Sequence, residues 1–130
     1  NIIKCIMNLT RQKIINSKKN ALLWYANNRD IIIIESRYIL RHNLFILDDN
    51  HYYNILNNIE FIYDDTYKHW AETDGKTIWL NTYKKWTQDL LKYTIIHECL
   101  HGLIKINGKH FTSEYKEHLI MENIDKLLIN

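Results

Sequence analysis

One short stretch of the chain, His97-Glu98-Cys99-Leu100-His101, has the residue types and spacing to do chemistry. On a helix of about 3.6 residues per turn, residues four apart lie one above the other, so two imidazoles can converge on one cation. Glu98 is turned around the helix from His97, which directs its carboxylate to a water beside the cation. The spacing therefore predicts a zinc site with a general base next to it, the arrangement used in metal-assisted hydrolysis.

The residues around this motif are typical of a buried helix. Thr94-Ile95-Ile96 leads into it, and Cys99 and Leu100 separate its two histidines. The alternative interpretation is a helix whose histidines only pack or hydrogen-bond in the core. In that case two histidines and a glutamate would each need a buried hydrogen-bond partner, so the metal site is the favoured hypothesis.

A catalytic zinc ion takes three protein ligands and keeps one open position, so a further ligand is expected after Gly102. On the last predicted helix, over residues 113–128, the apolar side chains share one face, and Glu117 falls in the middle of that face. A buried carboxylate is costly to keep ionised unless a cation accompanies it. We therefore predict Glu117 as the third ligand. The residues considered for this role are His110, Glu114, Glu117, His118 and Glu122.

Three alternatives to this assignment stay open. Glu117 could instead pair with a buried Tyr, Lys or His side chain. Glu122 has a suitable spacing from His101 but projects to the solvent side of the predicted helix, and His110 lies in the loop before it. The side chain that would stabilise the oxyanion is also open. Its candidates are Tyr83, Tyr93, His110, Tyr115 and His118.

Periodicity predicts four elements in the first half of the chain. Residues 10–28 have the spacing of an amphipathic helix, and four consecutive isoleucines predict a buried strand over residues 30–35. The segment 38–47 is undecided between helix and strand. A short helix over residues 49–58, capped by Asp48 or Asp49, and a strand over residues 59–63 follow.

The second half is predicted to hold a hairpin and two helices. Asp74-Gly75 separates the runs 69–72 and 77–81, and Asp-Gly between such runs is a strong hairpin signal. A helix over residues 87–106 carries the histidine motif and is expected to end at Asn107-Gly108. Thr112 or Ser113 is expected to cap the last helix.

Composition limits the classes of protein to which the chain can belong. At 130 residues and 46% hydrophobic, it is long enough for one domain, residues 1–130, and too short for two. A net charge of +2 does not indicate a nucleic-acid surface, and no apolar run is long enough for a membrane span. We expect a monomer. Cys5 and Cys99 provide no disulfide framework, so we interpret both as reduced thiols of an intracellular, cytoplasmic protein.

Residues 76–128 resemble the zincin metallopeptidases and, with Glu117, a gluzincin of minimal size. The resemblance is carried by the strand Thr77-Ile78-Trp79-Leu80-Asn81, the apolar-Thr-apolar-apolar lead-in to the motif, and the glutamate helix. It implies an α+β fold, in which a small, mostly antiparallel sheet packs on a backing helix and the active-site helix, followed by the glutamate helix. It further implies that strand 77–81 is an edge strand that pairs with an extended protein or peptide substrate, with Thr77, Trp79 and Asn81 binding that substrate.

These observations predict a zinc-dependent endopeptidase. Zn²⁺ would be held by His97, His101 and Glu117, and Glu98 would act as general base on a water activated by the metal. Two alternatives remain. Gly108-Lys109-His110-Phe111 resembles the end of the motif in SprT-like, DNA-associated peptidases. A non-catalytic, zinc-stabilised protein-binding module would instead close the site with a fourth ligand, such as His110 or Cys99.

Overall fold

Four helices and six short strands make up the described part of this computed structural model, which covers residues 2–41, 44–62, 71–73, 77–81, 87–111 and 114–129. Side chains are described from residue 11 onward, except those of residues 61–62, 71–73, 80–81, 114–115, 117 and 127–129. The predicted α+β class is confirmed, and the fold is mostly helical. In chain order the elements are α1 (Ile2–Leu40), β1 (Phe45–Leu47), α2 (Asp49–Asn57), β2 (Ile59–Ile62), β3 (Ala71–Thr73), β4 (Ile78–Asn81), α3 (Gln88–Leu100), β5 (Ile104–Ile106), β6 (Lys109–His110) and α4 (Glu114–Ile129).

The helix α1 is the longest element among the described residues. Its 39 residues make it about 58 Å long at 1.5 Å per residue. Its buried side chains are three, four or seven residues apart, which is the spacing of one helix face. That face contacts α2, α3 and α4. The buried positions are Ile14, Ser17, Ala21, Tyr25, Ile32, Ser36 and Leu40.

The predicted strand over residues 30–35 is wrong, because these residues lie inside α1. Ile32 is buried, whereas Ile31 and Ile34 are exposed, so the run is amphipathic at helical spacing. Packing of one helix face against three other helices outweighs the β preference of consecutive branched side chains. The undecided segment 38–47 contains both structures, since the helix ends at Leu40 and β1 begins at Phe45.

The strands form two separate three-stranded sheets among the described residues. One has the order β1-β5-β6 and is antiparallel; the other has the order β2-β4-β3, with β4 parallel to β2 and antiparallel to β3. The predicted hairpin pairing is confirmed, with Ala71 opposite Leu80 and Thr73 opposite Ile78. The turn at Asp74-Gly75 lies outside the described residues. The predicted edge position of strand 77–81 is wrong, because β4 is paired on both sides.

The short helix α2 confirms the prediction for residues 49–58. Its N-cap is Asp48, whose side chain accepts a hydrogen bond of 3.2 Å from the backbone N–H of His51. Two tyrosines join α2 to α1: the Tyr52 hydroxyl donates to the carbonyl of Ala21 at 2.9 Å, and its ring stacks on Tyr25 with centroids 4.0 Å apart. This junction places the first turn of α2 beside the end of α3. The two helices α2 and α3 are also in contact.

The carboxylate of Asp49 adds a charged connection to the same junction. It accepts hydrogen bonds from the Tyr25 hydroxyl and, at 2.9 Å, from the Arg29 guanidinium. Partial burial disfavours the ionised form of Asp49, but these two hydrogen bonds outweigh burial and hold its pKa below the ordinary value of 3.8. Burial and the hydrogen bond to Asp49 both raise the pKa of Tyr25, and burial is the larger cause.

We expect Asp49→Asn to make the free energy of unfolding less dependent on pH in the acidic range. A carboxylate with a lowered folded-state pKa contributes stability above its unfolded-state pKa of about 3.9, and that contribution is lost as the pH falls through the folded value. The free energy of unfolding of the wild type should therefore fall on acidification below about pH 4 more steeply than that of Asp49→Asn. Urea denaturation at several pH values measures this. Asp30→Asn, which removes an exposed carboxylate from α1, should keep the wild-type slope, and identical slopes in all three proteins would contradict the prediction.

The helix α3 is shorter than predicted. It begins after Thr87, whose hydroxyl accepts the N–H of Leu90 at 3.1 Å, and it ends at Leu100 instead of residue 106. The amide of Gln88 donates to the Lys13 carbonyl at 3.0 Å and to the Ser17 hydroxyl at 2.7 Å. These bonds fix the first turn of α3 to the buried face of α1.

The residues after α3 form a hairpin, so the predicted helix end at Asn107-Gly108 is wrong. Asn107 and Gly108 have φ angles of +54° and +78° and connect β5 to β6. Two consecutive residues with positive φ are what the favoured two-residue hairpin turn requires, and Asn-Gly is its preferred sequence. The last helix, α4, runs close to its predicted limits, while its expected caps, Thr112 and Ser113, lie outside the described residues. None of the helices in the described ranges is long and apolar enough to cross a membrane.

Candidate metal centre

The two histidines of the motif lie together at the end of α3. The imidazole centroids of His97 and His101 are 5.1 Å apart, and the ring planes are nearly perpendicular at 86°. His101 is the C-cap of the helix, with an extended ψ of 128°, yet its ring remains beside that of His97. Both residues are half-buried. The motif therefore presents two imidazoles at one place on the surface, as its spacing predicts.

The separation of the two rings fits a single tetrahedral zinc ion. With zinc–nitrogen bonds of about 2.0–2.1 Å and a tetrahedral angle between them, two imidazole centroids lie about 5.2 Å apart. The observed 5.1 Å matches this separation. Two neutral imidazoles are ligands that zinc prefers. The donor types and the ring spacing thus fit the ion.

The helix α4 faces this pair. The His118 ring centroid is 6.3 Å from that of His101, and Asp125 Oδ1 is 3.7 Å from His97 Nδ1. The carboxylate and the ring nitrogen are thus within ion-pair distance but beyond hydrogen-bond distance. His118 is exposed and Asp125 is half-buried, and sequence reasoning did not identify this contact. Their seven-residue spacing, which puts them on one stripe of a helix, is the available signal.

The predicted third ligand, Glu117, belongs to α4, but its side chain lies outside the described residues. Its assignment stays a prediction. The helical projection places Glu117 on the same face of α4 as Ile120, Met121 and Ile124. These three side chains are buried, as the projection requires. Glu122 is exposed.

Cys99 and Glu98 lie on different sides of α3. Cys99 is fully buried, and burial, followed by the nearby Glu98 charge, raises the pKa of its thiol. A buried thiol with a raised pKa is a poor metal ligand, since the thiolate is the form that binds. Glu98 is half-buried and directly follows His97 in the sequence, which is the position predicted for the general base.

A pair of hydrogen bonds holds the main chain directly after the motif. Nε2 of His51 lies 2.6 Å from the carbonyl oxygen of His101, and Nδ1 of His110 lies 2.6 Å from that of Gly102. Because a carbonyl oxygen only accepts, each ring nitrogen must be the N–H donor. We call these two bonds the carbonyl clamp. Sequence reasoning did not identify His51, whose role depends on how α2 packs against the end of α3.

Gly102 makes the carbonyl clamp possible. Its φ of +74° is one that L side chains rarely adopt, and a Cβ built at this position would lie 3.0 Å from His51 Nε2. The chain therefore needs glycine here both for the turn that ends α3 and for the close approach of the His51 ring.

The structure groups His110 with Asp48 and His51. The ring centroids of His51 and His110 are 5.1 Å apart, and His110 Nε2 is 4.0 Å from Asp48 Oδ2. Among the described side chains, these three are the one group of three or more potential metal ligands whose ligand atoms all lie within 4.8 Å of one another, and His97 and His101 form no such group with a third described side chain. His110 was considered above as third ligand and as oxyanion stabiliser. No contact between His110 and His97 occurs among the described contacts.

The other predicted residues are dispersed or lie outside the described part. Thr77, directly before β4, and Trp79, on β4, are half-buried, and the side chain of Asn81 is not described. Tyr93 is half-buried on α3, with the Lys92 ammonium 5.2 Å from its ring centroid. Tyr83 and the side chain of Tyr115 also lie outside the described residues. The substrate-binding and oxyanion roles of these residues stay predictions.

The chain matches no protein-family model, no curated protein and no solved structure. The case for a metal centre therefore depends on the residues and distances given above.

Proposed function

We propose that the chain is a zinc-dependent endopeptidase with its centre at the end of α3. The observation that carries this proposal is the pair of perpendicular imidazoles of His97 and His101, spaced as two ligands of one tetrahedral ion. Glu98, adjacent to the first of them, supplies the general base that this ligand pair accompanies in zinc hydrolases. Glu117 completes the ligand set from α4, and the Asp125 carboxylate lies 3.7 Å from Nδ1 of His97.

Each residue of the centre has a defined task in peptide hydrolysis. Zinc, when bound, lowers the pKa of a water in its open position and polarises the scissile carbonyl. The Glu98 carboxylate accepts a proton from the attacking water as the new carbon–oxygen bond forms. It then delivers that proton to the amide nitrogen as the carbon–nitrogen bond breaks, so the base is regenerated after each turnover.

The positions of Cys99 and His110 favour an open site over a closed, structural one. A structural zinc site needs a fourth protein ligand, and these two residues were the candidates for it. Cys99 points into the core, and His110 is bonded to the Gly102 carbonyl. Both arrangements support a centre that keeps one position for water.

The sheet topology changes where a peptide substrate would pair. Strand β4 has partners on both sides, so among the described residues β2 and β3 are the outer strands of that sheet. Of these, β3 contacts α3. We therefore assign backbone pairing with an extended substrate to β3, along Ala71–Thr73, in place of β4.

Metal analysis combined with a cleavage assay tests the proposed function. We expect the purified chain to hydrolyse a quenched fluorescent peptide library, and a zinc chelator to stop the reaction. His97→Ala and Glu117→Ala should each remove one equivalent of zinc together with the activity. Glu122→Ala, at an exposed position of the same helix, is the matched control and should keep both. Undiminished zinc and hydrolysis in His97→Ala would refute the proposed centre, and zinc loss in Glu122→Ala instead of Glu117→Ala would move the third ligand.

A further inference from the structure

A second group of potential metal ligands lies beside the Gly102 turn and belongs to elements other than α3. Asp48 caps α2, His51 lies in the first turn of α2, and His110 ends β6. Their ligand atoms lie within 4.8 Å of one another, and the two ring centroids are 5.1 Å apart. This is the same ring separation that fits a tetrahedral ion at the His97 pair.

The carbonyl clamp occupies one nitrogen of each ring and leaves the other for a metal. Each histidine donates one N–H to a backbone carbonyl at 2.6 Å, so in the neutral ring the other nitrogen carries a lone pair. Those nitrogens are Nδ1 of His51 and Nε2 of His110. Histidines that bind metals almost always donate their second ring nitrogen in this way, most often to a carboxylate or a backbone carbonyl. The hydrogen bonds are thus an observation independent of the clustering.

Asp48 supplies a carboxylate oxygen close to the second ring nitrogen of His110. Its Oδ1 accepts the backbone N–H of His51 at the helix cap, while Oδ2 lies 3.2 Å from Lys105 Nζ and 4.0 Å from His110 Nε2. The lysine ammonium therefore occupies a position that favours positive charge.

We propose that Asp48, His51 and His110 form a second divalent-metal site, which takes Zn²⁺ or a similar first-row transition ion. Two imidazole nitrogens and one carboxylate oxygen are a ligand set that such ions prefer. Tetrahedral ligand atoms at about 2.0–2.1 Å from zinc lie about 3.3 Å apart, so the 4.0 Å between His110 Nε2 and Asp48 Oδ2 must close slightly. Lys105 would leave Asp48 when the ion binds.

A metal here would join three parts of the fold. It would tie the start of α2 to β6 and, through the carbonyl clamp, stiffen the main chain at His101 and Gly102. The site is therefore structural, and it holds whether or not the chain is a peptidase, since none of its ligands belongs to the proposed catalytic set.

Zinc titration in a His97→Ala background tests the second site, because the catalytic pair cannot then contribute. We expect one equivalent of zinc to bind, and adding His110→Ala to weaken that binding at least about tenfold. Asp48→Asn should weaken it as well while keeping the helix cap, since Asn caps as effectively as Asp. Thermal melting without zinc should show that each variant is folded.

Lys105→Gln should change the zinc affinity in the opposite direction. Removing the cation that competes for Asp48 should tighten zinc binding about two- to fivefold, a gain that a misfolded variant would not give. Lys109→Gln removes the same charge from an exposed position of β6 and should change the affinity less. The proposal is overturned if the His97→Ala chain binds no zinc, or if neither His110→Ala nor Lys105→Gln changes its affinity. If the His97 pair itself binds no metal, wild type and His97→Ala will bind equal zinc, which refutes the catalytic centre and leaves the second site intact.

Discussion

Glu98→Gln should abolish peptide hydrolysis while the chain keeps all of its zinc. The amide is nearly the same size as the carboxylate but cannot accept the proton of the attacking water, so general base catalysis is lost. We expect kcat/KM to fall by about 10²–10⁴-fold, the range that a positioned general base contributes. Initial rates on a cleaved member of the peptide library, together with zinc content by elemental analysis, measure both effects.

The same substitution at a surface carboxylate is the control for Glu98→Gln. Glu122→Gln changes an exposed residue of α4 and should leave rate and zinc content unchanged. Unaltered turnover in Glu98→Gln would remove Glu98 from the mechanism. Loss of zinc in that variant would show that Glu98 is a ligand and not the base.

Gly102→Ala should produce the largest loss of stability of the substitutions considered. Its φ of +74° costs an L residue about 1–2 kcal/mol. The new Cβ would also lie 3.0 Å from His51 Nε2 and displace the ring from the His101 carbonyl, which costs about another 1 kcal/mol. We expect the free energy of unfolding to fall by about 2–3 kcal/mol in urea denaturation.

Gly108→Ala separates the two contributions. Gly108 has a similar φ of +78°, but a Cβ there meets nothing within 4 Å. It should therefore lose only the conformational part, about 1–2 kcal/mol. Equal losses in the two variants would show that the approach of His51 to Gly102 does not contribute to stability.

The spacing of residues predicted the parts of the structure that depend on local chemistry. The cap at Asp48 and the pairing of β3 with β4 follow from short-range patterns, and the structure confirms both. The proximity of the His97 and His101 rings also follows from their spacing, while their role as metal ligands stays a prediction. In each case the residues that form the feature are within about ten positions of one another, so few alternative arrangements compete.

The wrong predictions concern choices that distant contacts decide. Ile31 to Ile34 read as a strand in isolation, yet α1 continues through them because Ile32 shares a face with Tyr25 and Leu40. Asn107-Gly108 was interpreted as a helix end although the same dipeptide favours a hairpin turn, and pairing of β5 with β1 decides between them. The central position of β4 likewise depends on β2, which precedes it by about fifteen residues.

The candidate site was only half predictable for the same reason. Residues on α3 could be aligned by helical periodicity, whereas the contacts of Asp125 and His51 with the motif require α4 and α2 to pack against its end. No spacing in the sequence relates residue 51 to residue 101. A partner of that kind becomes visible only once the tertiary structure brings the two segments together.

The helix that carries the motif is anchored at both ends, to α1 through Gln88 and to the two ring nitrogens of the carbonyl clamp beyond Leu100. Such a helix cannot slide along its axis or unwind at its last turn without breaking these hydrogen bonds. In the proposed peptidase, the conformational entropy of the reactive groups would therefore be lost when the chain folds and not when a substrate binds. Adaptation to different peptides would then come from elements other than α3.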